Sequence, residues 1–91
     1  MPKVTFYSLF TRFTHGDRET KVDGDDVKET IGNLVQRYGQ DFSARLLKEN
    51  GEPKEFVRIF LNDRDIRLVG NLDARTGPED KIFFVPAVAG G

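Results

Sequence analysis

Residues 26–39 read DVKETIGNLVQRYG, and they hold the clearest structural signal in the chain. Their apolar side chains recur at the spacing of one face of an α-helix, at Val27, Ile31, Leu34, Val35 and Tyr38. Asp26 and Glu29 have the spacing of a capping box, and Gly39 is the residue type preferred just past a helix end. We therefore predict one amphipathic helix, which needs an apolar surface to pack against.

The segments on both sides of this helix have the composition of β-strands. Residues 4–14 are rich in β-branched and aromatic side chains, and residues 19–23 alternate, so we predict a hairpin with its turn at 15–18. The other predicted elements are a short helix at 41–47, strands at 56–61, 66–69 and 81–85, and a hairpin turn at 62–65.

This order of elements predicts an α+β protein in which a mixed sheet packs one face on the main helix. We expect a single domain over residues 1–85, followed by a flexible C-terminal tail over residues 86–91. Because only one face of the sheet is covered by the helix, the other face is open to water.

The open face is predicted to carry an apolar patch. Placing the aliphatic residues of strand 56–61 toward the helix turns Phe60 outward, and the same alternation in strand 81–85 turns Phe83 and Val85 outward. If the two strands are neighbours, these three side chains form a partner-binding patch. The alternative is that a loop covers one or more of them, or that they are scattered surface hydrophobes.

Composition excludes several classes of function. The 91-residue chain has no cysteine and a single histidine, His15, so a thiol nucleophile is excluded and a metal site is not expected. A net charge of −1 with mixed signs provides no field for binding nucleic acid. No stretch approaches the roughly 20 apolar residues of a membrane helix, and the first residues lack a signal-peptide pattern. We expect a cytoplasmic protein that contacts neither nucleic acid nor membrane.

The sequence ends in two glycines, Gly90 and Gly91, preceded by Val88 and Ala89. Without a Cβ atom, Gly90 and Gly91 can thread a channel that is too narrow for other residues. The ionised carboxylate of Gly91 is a poor electrophile, so its chemistry needs activation, most economically by ATP. Because the chain lacks a phosphate-binding loop and a catalytic triad, we expect the activating enzyme to be another protein. On this interpretation the chain is a substrate, not an enzyme, and binds no cofactor itself.

Three segments carry a family resemblance: NDRDIR at 62–67, GNLD at 70–73 and FVPAVAGG at 84–91. Together with the order of the elements, they resemble the ubiquitin-like sulfur carrier proteins. That family includes the small subunit of molybdopterin synthase, the thiamine-pathway carrier, and the carrier that feeds a cysteine synthase. The resemblance implies a β-grasp fold and covers most of the chain.

The resemblance also implies a role for each residue of the tail. An E1-like adenylyltransferase activates Gly91 with ATP, and Gly91 then becomes a thiocarboxylate. Gly90 lets the tail pass, and Phe60 and Val85 occupy the place of the apolar patch of ubiquitin-like folds. The sulfur-accepting enzyme is either the molybdopterin synthase large subunit or a cysteine synthase. The single Pro86, where molybdopterin carriers usually have two prolines, is closer to the cysteine branch and leaves the pathway open.

Two other functions remain open at this point. A ubiquitin-like modifier would join Gly91 to lysine amines of other proteins after the same adenylation. A plain interaction domain would use the patch around Phe60 and need no terminal chemistry.

Overall fold

A computed structural model of the chain describes residues 1–87, and the tail residues 88–91 lie outside the described part. The helices are α1 (Val27–Tyr38) and α2 (Gln40–Leu46). The strands are β1 (Lys3–Phe6), β2 (Glu19–Lys21), β3 (Val57–Leu61), β4 (Arg64–Asp65) and β5 (Lys81–Pro86). Short 3₁₀ helices occur at Ser8–Phe13, Ile66–Leu68 and Asn71–Asp73. None of the helices among residues 1–87 is long and apolar enough to cross a membrane.

The strands form one mixed sheet in the order β2-β1-β5-β3-β4. The central pair, β1 and β5, is parallel, with Val4 beside Ile82 and Phe6 beside Phe84. The other pairs are antiparallel. This architecture confirms the predicted α+β class and the predicted packing of a mixed sheet on a main helix.

Helix α1 begins and ends where the sequence signals predict. The Asp26 carboxylate accepts a hydrogen bond from the Glu29 N–H at 2.7 Å, and the Glu29 carboxylate accepts one from the Asp25 N–H at 3.0 Å. The first bond uses a donor that the first turn of a helix leaves without a backbone partner, and the second ties the residue before the N-cap to that turn. At the other end, Gly39 has a φ of 78° and its N–H donates to the Val35 carbonyl at 2.7 Å.

The core lies between the two helices and one face of the sheet. At its centre, the Phe6, Tyr38, Phe42 and Phe84 rings form a cluster with centroid separations of 5.5 to 6.1 Å. Such separations are favourable for edge-to-face and tilted aromatic pairs. The ring of Phe84 therefore joins the last strand to β1 and to α2, and Tyr38 connects the cluster to α1.

The segment before α1 is hydrogen-bonded to the segment before β5. The Thr76 hydroxyl donates to the Gly24 carbonyl at 2.7 Å, and the Thr76 N–H donates to the Asp25 carbonyl at 3.0 Å. Gly24 lies so close to α1 that a Cβ atom there would stand 2.8 Å from the Thr30 backbone nitrogen and closer still to its hydroxyl. Only glycine fits this close approach.

The predicted strand over residues 4–14 is wrong beyond Phe6. After that residue the chain turns into the 3₁₀ helix Ser8–Phe13, where the Phe10 N–H donates to the Tyr7 carbonyl at 2.8 Å. The turn brings Phe10, which is fully buried, into the core. Burial of this aromatic ring thus outweighs the β propensity of the segment.

The predicted strand at 66–69 is also wrong, because only Arg64–Asp65 pair with β3. The Asp65 carboxylate accepts a hydrogen bond from the Arg67 N–H at 3.0 Å, which starts the 3₁₀ helix Ile66–Leu68. This local side-chain bond competes with the strand ladder. Ile66 is nevertheless buried.

The last strand is longer than predicted by one residue, since Pro86 pairs with Val57. A proline in a central strand usually costs a ladder hydrogen bond. Here the Ala87 N–H donates toward β3, to the Phe56 carbonyl at 2.7 Å, so a donor at position 86 would face the β1 side. The last bond between β1 and β5 runs from the Tyr7 N–H to the Phe84 carbonyl, and Pro86, which has no N–H to donate, ends that ladder while the pairing with β3 is kept.

Candidate functional site

The open face of the sheet is centred on β5, which lies between β1 and β3. Ile82 and Phe84 are buried against the helices, and the alternation of the strand turns Phe83 and Val85 to the opposite face. Phe60 of β3 is the direct partner of Phe83. The structure therefore brings together the three side chains that were predicted as a patch.

We call Phe60, Phe83 and Val85 the open-face patch. Each of its side chains is half-buried. Thr5 of β1 is the neighbour of Phe83 on the other side. The structure shows where these residues lie, and their role in binding a partner stays a prediction.

Charged side chains border the open-face patch. Arg58 is paired with Val85, and Asp65 is paired with Phe60, so both side chains share the face of the patch. The Arg67 guanidinium is 2.8 Å from the Asp65 carboxylate, and this hydrogen bond holds the pKa of Asp65 below its ordinary value. An apolar centre with a charged rim is the usual layout of a protein interface.

The strand leads from the patch directly to the tail. The hydrogen bond from the Ala87 N–H to the Phe56 carbonyl is the final backbone contact along the described chain. Val88, Ala89, Gly90 and Gly91, predicted as the reactive tail, lie outside the described residues. Their predicted roles therefore remain predictions.

Two exposed aromatic residues beside the end of β5 were not predicted as site residues. Tyr7 follows β1, and its N–H donates to the Phe84 carbonyl at 3.1 Å. Phe56 precedes β3 and accepts the bond from Ala87. The alternation of side chains along β3 indicates that Phe56 points outward, so the sequence could have identified it. Tyr7 gave no such signal, because it lay inside a predicted strand that was too long.

The described residues show no arrangement suited to catalysis on the open face. Tyr38 has a raised pKa, caused first by burial and then by its hydrogen bond to Asp17, but it lies in the core beneath the sheet. Among residues 1–87, no three His, Cys, Asp or Glu side chains cluster as metal ligands would.

A helix packed across a mixed sheet with a central parallel pair, together with an apolar open face beside the last strand, defines a β-grasp protein. Residues 5–91 match the model of the family described as the ThiS family. The chain belongs to the ThiS family.

Relatives and solved structures agree with this assignment. The sulfur carrier protein CysO of Mycobacterium tuberculosis is 31% identical over 90 residues, which cover 97% of this chain and 96% of that protein. CysO in the crystal structure of the Amycolatopsis orientalis BexX/CysO complex has a TM-score of 0.87 and 31% identity, with both chains fully covered. The crystal structure of Mycobacterium tuberculosis CysO has a TM-score of 0.85 and 27% identity, with 97% of this chain and 100% of that chain covered.

These comparisons confirm the resemblance to ubiquitin-like sulfur carriers and the β-grasp fold that it implied. They also confirm that the chain is a small carrier protein of this family, not an enzyme.

Proposed function

We propose that the chain carries sulfur as a thiocarboxylate on Gly91 and donates it to a biosynthetic enzyme. An E1-like enzyme transfers AMP from ATP to the Gly91 carboxylate and releases pyrophosphate. A sulfide then attacks the acyl carbonyl and displaces AMP, which leaves a C-terminal thiocarboxylate. In this scheme ATP binds to the activating enzyme, so the chain needs no cofactor of its own.

The observation that carries the proposal is the position of the open-face patch on the strand that leads to the tail. The backbone is paired as far as Pro86, and four residues follow Ala87 to the end at Gly91. A partner that docks on Phe60, Phe83 and Val85 therefore meets the tail beside its own docking surface. Relatives named as sulfur carriers support a role in carrying sulfur.

For the acceptor we propose a cysteine synthase in preference to the molybdopterin synthase large subunit. The support is the ending of the chain, in which a single Pro86 is followed by Ala87. The composition of the chain agrees with a carboxylate carrier, because a chain without cysteine has no thiol on which to hold sulfur as a persulfide.

The test is the intact mass of the protein purified from its own cells through an N-terminal tag. We expect a species heavier by the replacement of one oxygen with sulfur, located at Gly91 by fragmentation. A variant with one residue added after Gly91 is the matched control, since it keeps the fold but displaces the carboxylate, and it should lack the heavier species.

Other outcomes would point to the alternatives. Gly-Gly remnants on lysines of other proteins, without any thiocarboxylate, would identify a modifier. Full complementation of a deletion strain by a chain that lacks Gly91 would leave only an interaction domain and would overturn the proposal.

A further inference from the structure

Two large exposed aromatic side chains flank the place where β5 ends. Tyr7 is 55% exposed and Phe56 is 46% exposed, although the neighbouring Phe6 and Val57 are buried. We call Tyr7 and Phe56 the exit pair. Because β5 lies between β1 and β3, and Tyr7 and Phe56 are level with residues 85 and 87 of the chain between them, the backbones of the exit pair are about 12 Å apart.

The fold does not use the exposed parts of these rings. Neither residue belongs to the buried core cluster, and neither makes one of the aromatic pairs that join the sheet to the helices. The backbone of each residue is nevertheless held against β5, through the Phe84 carbonyl for Tyr7 and the Ala87 N–H for Phe56. Both rings are thus anchored at their base and open to water at their tip.

Covalent geometry sets how near an enzyme must come to them. From Ala87 to Gly91 the chain can span at most about 14 Å, even when fully extended. An enzyme that encloses the carboxyl group of Gly91 in its active site must therefore bring the mouth of that site close to Ala87. The surface around Ala87 includes the exit pair.

We propose that the exit pair contacts the activating enzyme around the mouth of its active site and supplies affinity for that enzyme. This inference rests on the proposed function, because it takes the adenylating enzyme as the occupant. It adds a second contact region to the open-face patch, whose Phe60–Phe83 pair is further from the tail than Val85. Exposed aromatic rings that become buried at an interface are typical energetic anchors.

The test measures ATP–pyrophosphate exchange by the E1-like enzyme of the same organism as a function of carrier concentration. For Tyr7→Ala and for Phe56→Ala we expect the KM for the carrier to rise roughly 10- to 50-fold, with kcat nearly unchanged. Tyr7→Phe keeps the ring and should restore the KM. Leu68→Ala is the matched control, because Leu68 is 79% exposed but lies on the 3₁₀ helix Ile66–Leu68, outside the strands.

The outcomes separate this inference from the proposed function. If the wild-type chain supports no exchange, the proposed function fails. If the wild type supports exchange and both alanine variants keep its KM, the exit pair plays no part and the inference is wrong.

Two further measurements distinguish contact with the enzyme from a structural role and from self-association. Thermal unfolding should be nearly the same for the wild type and both alanine variants, and a large fall would show a structural role instead. Sedimentation equilibrium of the free wild type should give a monomer. A dimer that Tyr7→Ala dissociates would make a second copy the occupant and would overturn the inference.

Discussion

Phe83 and Phe84 are adjacent residues of the same type on opposite faces of β5, so they allow a matched test of fold against function. Phe84 is fully buried, and its ring centroid lies 5.5 Å from that of Phe6 and 5.8 Å from that of Phe42. Phe83 is half-buried on the open face. We expect Phe84→Ala to weaken folding, and Phe83→Ala to weaken partner binding while the fold is kept.

From the burial of the two side chains, we expect the two variants to lose clearly different amounts of free energy of unfolding. Replacing a buried phenylalanine with alanine costs about 3–5 kcal/mol, and the loss of both aromatic contacts gives about 4 kcal/mol for Phe84→Ala. A domain of this size has a free energy of unfolding of roughly 5–14 kcal/mol, so this loss is a large fraction of it. The melting temperature should fall by about 15–30 °C. For Phe83→Ala the cost in free energy of unfolding should be about 1 kcal/mol or less.

Urea unfolding followed by far-UV circular dichroism measures both changes, because the chain has no tryptophan to serve as a fluorescence probe. The functional readout is thiocarboxylate formation at a temperature where both variants are folded. The reasoning is refuted if the two variants lose equal stability, or if Phe83→Ala forms thiocarboxylate as fast as the wild type at low carrier concentration.

Three more predictions concern the elements that hold the fold. Gly24→Ala should lower the melting temperature by about 5–15 °C in a thermal scan, because its Cβ would clash with Thr30 and force the segment away from α1. Asp26→Ala removes the N-cap of α1 and should cost about 1 kcal/mol in urea unfolding. Burial raises the pKa of Tyr38, so the unfolded chain loses the phenol proton first. Stability should be full up to about pH 10 and decline above it, and urea midpoints of Tyr38→Phe should lack that decline.

Local signals explain which parts of the fold could be predicted from the sequence. Helix α1 was predicted correctly because its cap at Asp26, its apolar spacing and its terminal Gly39 all act within a few residues. The segment after Phe6 was not, because its turn depends on the burial of Phe10 against distant parts of the chain. The local hydrogen bond from the Arg67 N–H to the Asp65 carboxylate likewise ends β4 early.

The candidate site was likewise predicted from the sequence only in part. The open-face patch followed from strand alternation, since the outward parity of Phe60 and Phe83 needs only the period of a strand. The exit pair needed the register between strands, because nothing local shows that Tyr7 and Phe56 end up on either side of β5. Register is set by the packing of the whole sheet, and this information is not contained in either segment alone.

The central position of β5 links the stability of the fold to the proposed function. One face of the strand supplies Ile82 and Phe84 to the core, and the other supplies the open-face patch. Because the pairing of β5 with β3 continues to Pro86, the core fixes the orientation of the patch and also the point from which the tail starts. A partner docked on the patch therefore has only the four residues after Ala87 in which to adjust the approach of Gly91. The proposed chemistry requires the fold to fix only the orientation of the patch and the point where the tail begins. A small core built around β5 is sufficient for that.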